Sequence, residues 1–267
     1  MRRSAAFGAL LFVALCVVLA FLTLPIVAIF VDTSPAELIR SLGEPDALDA
    51  LWLSLKTSLA ALAIIVVIGT PAAYLLATRE FRGRSIVMTL IELPLVLPPA
   101  VAGIALLACF GPKGLFGTTL EDAGIALVLQ TAGVIVALTF VAAPFYLRQA
   151  QEAFAAVDRN LLDAARTLGA SEAGAFARVA IPCAGPGITA GLALAWGRAL
   201  GEFGATLMFA GSFPGITQTV PLAIFSRFST DFTSALALSA VLVIVSAALL
   251  LSVKLLGRSP LLGGGQA

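Results

Sequence analysis

Histidine is absent from all 267 residues, which removes the commonest general base and the commonest metal ligand together. Cysteine is almost as scarce. Cys16, Cys109 and Cys183 stand far apart without C-x-x-C spacing, so neither a disulfide framework nor a thiolate metal site is expected. Charged residues make up only 12 % and the formal net charge is +1, too little clustered cation for a nucleic-acid surface or a polybasic lipid anchor. The chain lacks G-x-x-x-x-G-K-[ST] and therefore the phosphate cradle of a P-loop ATPase. No nucleophile and base are convincingly paired, which weighs against an intramembrane enzyme.

What fills the space is apolar residue, 60 % of the chain, with a mean hydropathy of +1.06. Crossing a hydrocarbon core about 30 Å thick takes about 20 such residues. Six runs qualify, at about 5 to 31, 52 to 77, 86 to 110, 124 to 147, 187 to 210 and 235 to 256. Arg2 and Arg3 precede the first run as they would in a signal peptide, but the run is far longer than a signal h-region and no small-x-small cleavage site follows, so it reads as a retained span. The expectation is an all-α integral membrane protein with one transmembrane domain over 1 to 267. Only about ten residues follow span 6, so no fused regulatory domain is expected.

The cations sort the connections. Arg2, Arg3, Arg79, Arg82, Arg84, Arg148, Arg159, Arg166, Arg178, Lys254 and Arg258 fall on one side, while the other holds Arg40, Lys113 and Arg227, with Lys56 at the outer end of span 2. The positive-inside rule places both termini in the cytoplasm. Asp32, Glu37, Glu44, Asp46, Asp49, Glu121, Asp122 and Asp231 then lie outside. The outer connection from 211 to 234 carries Pro214 and Pro221 around a short apolar patch, a pattern for a re-entrant or interfacial helix. No internal repeat is evident, and the inverted halves of many secondary transporters are missing from view.

The longest cytoplasmic connection, 148 to 186, contains "DAARTLGASEAGAFARVAIP". Asp158 can cap a helix through "RNLLDAARTL", Gly169 supplies a left-handed stop, and Ser171 can cap a second helix that ends before Pro182. Leu161, Leu162, Ala165 and Leu168 form an apolar stripe on the first of these helices. An amphipathic linker lying on the membrane surface would carry the same pattern. The spacing is more specific: Asp163-Ala164-Ala165, three residues, Gly169-Ala170, then Val179-Ala180-Ile181-Pro182 resembles the EAA loop of ABC importer permeases, with aspartate in place of glutamate and valine and isoleucine in place of isoleucine and leucine. "LPLVLPPAVAGIALL", "GPKGLFG" and "RALGEFGATLMFAG" extend the resemblance over nearly the whole chain, towards molybdate permease subunits and their tungstate and sulfate/thiosulfate relatives.

The resemblance implies a type I ABC importer permease fold in the cytoplasmic (inner) membrane, working as a homodimer. It also implies two cytoplasmic ABC ATPase subunits, which bind the ATP and Mg, and an external oxyanion-binding protein; this chain would hold no cofactor. Asp163, Ala164, Ala165, Gly169, Ala170 and Pro182 would form the ATPase-coupling segment, where small side chains permit close approach and the glycine sets a fixed turn. An outside source of energy fits the cargo, since importing a dianion against an inside-negative potential costs roughly 5 kcal/mol per 100 mV.

Inside the membrane, Arg198 and Glu202 lie one helical turn apart on span 5, where a charge costs on the order of 2.5 to 3.5 kcal/mol. Mutual neutralisation for packing is one reading. The other is that Arg198 sets the potential along an anion route while Glu202 holds it. Gly187, Gly191, Ala195 and Ala199 make one small-residue ridge on that span, and Gly197, Gly201 and Ala205 another, as a central packing helix requires. Pro94, Pro98 and Pro99 interrupt span 3 and suggest a kink lining the pathway, with Glu92 a turn before it. An ion-coupled secondary transporter is the rival from another class; it would have no use for the docking loop and would need membrane acids that this chain scarcely has.

Overall fold

The computed structural model describes residues 2–257. The chain runs α1 (Arg2–Asp32), α2 (Pro35–Leu42), α3 (Pro45–Thr78), α4 (Arg84–Val96), α5 (Pro99–Phe110), α6 (Gly117–Asp122), α7 (Thr131–Ala155), α8 (Arg159–Thr167), α9 (Glu172–Ala175), a π-helical turn (Phe176–Ala180), α10 (Ile181–Leu200), α11 (Gly204–Ala210), α12 (Val220–Phe228) and α13 (Phe232–Gly257). No strand occurs among the described residues. Among the described residues five helices are each long and apolar enough to cross a membrane, or six when the bent pair α4 and α5 is counted as one broken span.

α3, α7 and α10 form the centre. Val134, Leu138, Ala142, Tyr146, Ala150 and Phe154 of α7 are buried against Ala61, Leu62, Ile65 and Ala73 of α3 and Ala184, Ala195 and Ala199 of α10. The first small-residue ridge explains how α10 comes so close. A Cβ added to Gly187 would collide with the Cβ of Ala153, and one added to Gly191 would sit 3.0 Å from the Cβ of Gln149. The second ridge is close to a neighbour only at Ala205, whose backbone a Cβ on Gly103 would meet at 2.7 Å, while a Cβ on Gly197 would meet only Leu250, at 3.9 Å. Within the centre, polar side chains pair across helices. The Trp196 indole N–H donates to Ser58 Oγ at 3.1 Å, and the hydroxyls of Thr70 and Tyr146 lie 2.6 Å apart.

The starts of α3 and α7 depart from their apolar runs in opposite directions. α3 begins at Pro45, seven residues before the run at 52, because Ala47 and Ala50 are buried against Val220, Ala223 and Leu238 of the outer helices. α7 begins only at Thr131 and continues to Ala155. The apolar residues just before it are turned by Gly124 at φ 70° and Leu129 at φ 60°, so Leu127 and Val128 fold over a cluster containing Phe209, Ala137 and Ala102. That stretch is apolar because it packs, not because it crosses. α12 supplies the short helix expected in the outer connection; Ser54 Oγ accepts the Val220 N–H at its start, at 2.8 Å.

Candidate functional site

The elbow between α8 and α9 is built by short-range chemistry. Asp158 Oδ1 accepts the Asn160 N–H at 2.9 Å and starts α8. At the other end the Gly169 N–H donates to Arg166 O at 2.9 Å and the Ala170 N–H donates to Ala165 O at 3.0 Å, the paired bonds of a Schellman stop, with Gly169 at φ 89°. Ser171 Oγ then accepts the Gly174 N–H at 3.1 Å and starts α9. Arg166 ties the two helices together, with Asp163 at 2.8 Å on its own helix and Glu172 at 3.1 Å across the turn. These carboxylates, Glu172 first and then Asp163, push the guanidinium above its ordinary value; it stays charged at every accessible pH.

The expected single stripe on α8 is divided. Leu162 and Ala165 turn inward to the bundle, while Leu161 and Leu168 are 48 % and 88 % exposed and Ala164 is exposed beside Asp163. A nine-residue helix lying on the bundle has two apolar edges, and only one of them is used. Nor does the second helix stop before Pro182. It continues from Glu172 to Leu200, because the turn widens over Phe176–Ala180 and the Ile181 N–H reaches back to Phe176 O. Such π widening re-satisfies backbone around a proline inside a helix.

Both interrupted spans are breaks rather than kinks. α4 and α5 meet at 118°, with Leu97 extended, Pro98 at the cap and Pro99 as the first residue of α5. Pro94 stays inside α4. α10 ends at Leu200, and Gly201, Glu202 and Phe203 separate it from α11, so span 5 is not the continuous helix that its apolar run implied. Glu202 fills that gap. Its side chain is 1 % exposed; one oxygen accepts the Ala205 N–H at 2.6 Å and the other lies 2.6 Å from Arg198 Nη1. The second half-helices of the two broken spans then join almost backbone to backbone. A Cβ on Gly204 would sit 2.7 Å from the Cβ of Pro99, and one on Gly103 would sit 2.6 Å from the Cβ of Met208. Pro98, Pro99, Gly201, Glu202 and Arg198 therefore belong to one region of the molecule, while Pro94 belongs to a helix that packs on α7. Glu92 of α4 takes Arg148 of α7 as its partner at 3.0 Å. No cluster of His, Cys, Asp and Glu among the described residues could hold a metal ion.

Residues 65–259 match the family described as binding-protein-dependent transport system inner membrane component. The chain belongs to this family of permeases. It is 42 % identical over 243 residues to the molybdenum transport system permease protein ModB of Mycobacterium tuberculosis, covering 91 % of each chain. To the molybdate/tungstate transport system permease protein WtpB of Pyrococcus abyssi it is 34 % identical, over 79 % of this chain and 80 % of that one. A solved bacterial alginate ABC transporter, in complex with an alginate-bound periplasmic protein, shares its fold at a TM-score of 0.75 and 18 % identity, over 96 % of this chain and 95 % of that one. The permease is thus a multi-pass protein of the inner membrane.

Sequence reasoning had no access to three parts of the permease. The aromatic contacts of Tyr74, Phe154 and Phe176 join residues from three separate helical elements. The ion pair of Glu44 with Arg227, 2.5 Å apart, ties α12 to the start of α3. The break at Gly201 carries no proline to announce it.

Proposed function

We propose that this permease carries molybdate inward as a homodimer, driven by a separate ATPase that docks on the elbow. The likeness to a molybdenum permease, 42 % over 91 % of both chains, carries the reading. The elbow supports it by presenting Leu161, Ala164 and Leu168 on its outer side, an apolar knob of limited size beside a charged rim, as a docking helix needs. In this reading Asp163, Ala164, Ala165, Gly169, Ala170 and Pro182 shape the coupling segment, with Arg166 as its internal brace. ATP and Mg are held by two cytoplasmic ABC subunits, and an external oxyanion-binding protein delivers the cargo.

Arg198, Glu202, Gly201, Pro98 and Pro99, with Pro94 a turn earlier in span 3, are proposed to border the pathway. Because Glu202 is committed to Arg198 and to the Ala205 N–H, it presents no bare carboxylate to an anion. The partly exposed guanidinium edge of Arg198 leaves a weak positive potential. That suits conduction, since a full unpaired charge would hold a dianion too tightly to release it. Closure of the ATPases would draw two elbows together and move the helices as bodies, alternating access between the two sides.

The test is ATP hydrolysis by the permease reconstituted with its ATPase and binding protein, comparing molybdate, tungstate and sulfate, with Gly169→Asp as the coupling control. Stimulation by molybdate-loaded binding protein that vanishes in the variant is the expected result. Stimulation by tungstate or sulfate alone reassigns the cargo, and a fully coupled variant refutes the docking of this elbow.

A further inference from the structure

The elbow can pass movement to the membrane helices by two routes. One is covalent, through the π turn into α10 at one end of the elbow and through residues 156–158 from α7 at the other. The other crosses to α3 and α7, and there the backbones do not come together closely: α8, α9 and the π turn pack chiefly on one another and on α10. An open cleft separates Arg166 and Glu172 of the elbow from Pro71 and Thr78 of α3 and Arg79 just beyond it, and Tyr74 lines it. Three aromatic rings bridge this gap. Phe176, the first residue of the π turn, lies 4.7 Å from Tyr74 of α3 and 6.0 Å from Phe154 of α7, centroid to centroid, and Tyr74 meets Phe154 edge-on at 5.3 Å. Phe154 is 3 % exposed, and the other two rings pack against the same cluster.

We infer that the triad Tyr74, Phe154 and Phe176 transmits movement of the coupling elbow to the α3, α7 and α10 body, with Phe176 as the positioning residue that links them. The inference rests on the proposed docking of the ATPase at this elbow. Its physical basis is the mismatch between the two routes. The π turn interrupts the regular helix with i→i+5 hydrogen bonds, and residues 156–158 lie outside any helix, so the covalent route has a compliant joint at each end. Packed rings resist displacement, because dense contacts have discrete arrangements rather than a continuum. An elbow that moves with its rings in place carries α3 and α7 along; without the rings, the joints absorb the movement.

The experiment uses the complete transporter in liposomes and measures oxyanion trapped inside per ATP hydrolysed, with whichever of molybdate, tungstate and sulfate drives the wild type. Phe176→Leu keeps most of the volume and removes the ring, and Tyr74→Leu does the same from the opposite side. The expected result for each is a fall of about fivefold or more in anion per ATP, the low end of ordinary site-to-site coupling, while stimulation of hydrolysis by loaded binding protein persists. The conservative Tyr74→Phe restores the ratio, since the ring and not the hydroxyl makes the contact. Retention of the wild-type ratio by Phe176→Leu overturns the inference. So does a parallel fall of transport and hydrolysis in both leucine variants, which would mean that the rings only shape the docking segment. Gly169→Asp separates the two levels. If it abolishes stimulation while Phe176→Leu stays coupled, the triad alone is refuted; if it leaves stimulation intact, the elbow is not the docking site and both readings fall.

Discussion

Removing Glu202 should damage the permease far more than removing Arg198, although the two form one ion pair. The charge centres lie about 4 Å apart, worth about 4 kcal/mol at an effective dielectric constant of 20, and breaking a buried pair from one side commonly costs about 3 to 5 kcal/mol. The sides differ in what they leave behind. Arg198→Ala removes the more exposed partner and leaves the Glu202 carboxyl still accepting the Ala205 N–H. Glu202→Ala leaves a guanidinium that cannot shed a proton and also frees the Ala205 N–H in the first turn of α11, an unsatisfied donor costing about 1 to 3 kcal/mol. We expect losses of about 4 kcal/mol for Glu202→Ala, about 2 for Arg198→Ala, and no more for the double variant than for Glu202→Ala alone, because the double variant buries no orphan charge. Reversible unfolding in mixed detergent micelles, followed by the fluorescence of Trp52 and Trp196, would read these values. Glu202→Gln keeps an acceptor for Ala205 and should lie between the wild type and Glu202→Ala. Single losses that add within about 0.5 kcal/mol in the double variant would refute the pairing argument.

Gly169→Ala has open space for its Cβ, so its effect is backbone strain alone, about 1 kcal/mol at a positive φ; hydrogen exchange should show faster opening of α8, and Gly169→Asn should open less, because asparagine tolerates that region. Gly187→Ala forces a Cβ against Ala153 and should cost about 1 to 3 kcal/mol by overpacking, whereas Gly197→Ala, with Leu250 as its nearest neighbour, should leave the thermal midpoint unchanged. On α2 the Glu37 carboxyl is held below its ordinary 4.5, chiefly by the Ser34 backbone N–H and then by the Ser34 hydroxyl. A lowered folded-state value means that the capping box contributes fully above the unfolded value and is lost as pH falls through the folded one; amide protection on α2 should therefore fade below about pH 4.5, and Glu37→Gln should abolish that pH dependence, whereas Ser34→Ala, which keeps the backbone N–H, should only lessen it.

How far the chain could be read from its letters depended on the range of the interaction. Asp158, Gly169 and Ser171 act on neighbours two to four residues away, so their spacing was enough to place both caps and the stop of the elbow. Pro98 and Pro99 announced an interruption of span 3 because proline lacks a donor, but its size, 118°, is set by packing. Gly201 to Phe203 gave no such notice: a 3.6-residue apolar period runs on across the gap, and the signal was the acid, read there as half of a pair and found to be a cap as well. The divided stripe on α8 and the late start of α7 were illegible for a related reason. Composition shows that a residue will be buried and is silent on which surface does the burying.

The two breaks answer the same requirement in different chemistry. In lipid a helix that starts anew exposes N–H groups with no water to meet them. α5 begins at Pro99 with Pro98 as its cap, and neither has an N–H to satisfy. α11 begins with real donors and meets the Ala205 N–H with the Glu202 carboxylate, whose charge then requires Arg198. A proline start needs no counter-charge, whereas a carboxylate start brings a cation into the membrane with it. The Arg198 charge, which seemed at first to need a functional excuse, is thus fully accounted for by the break in span 5, and any influence on a passing anion is exerted by the edge of a guanidinium already occupied. The close seat of Gly204 on Pro99 makes the two starts one structural unit. A substitution at either that left the other unaffected would show that the halves move separately, and that the breaks are two hinges rather than one.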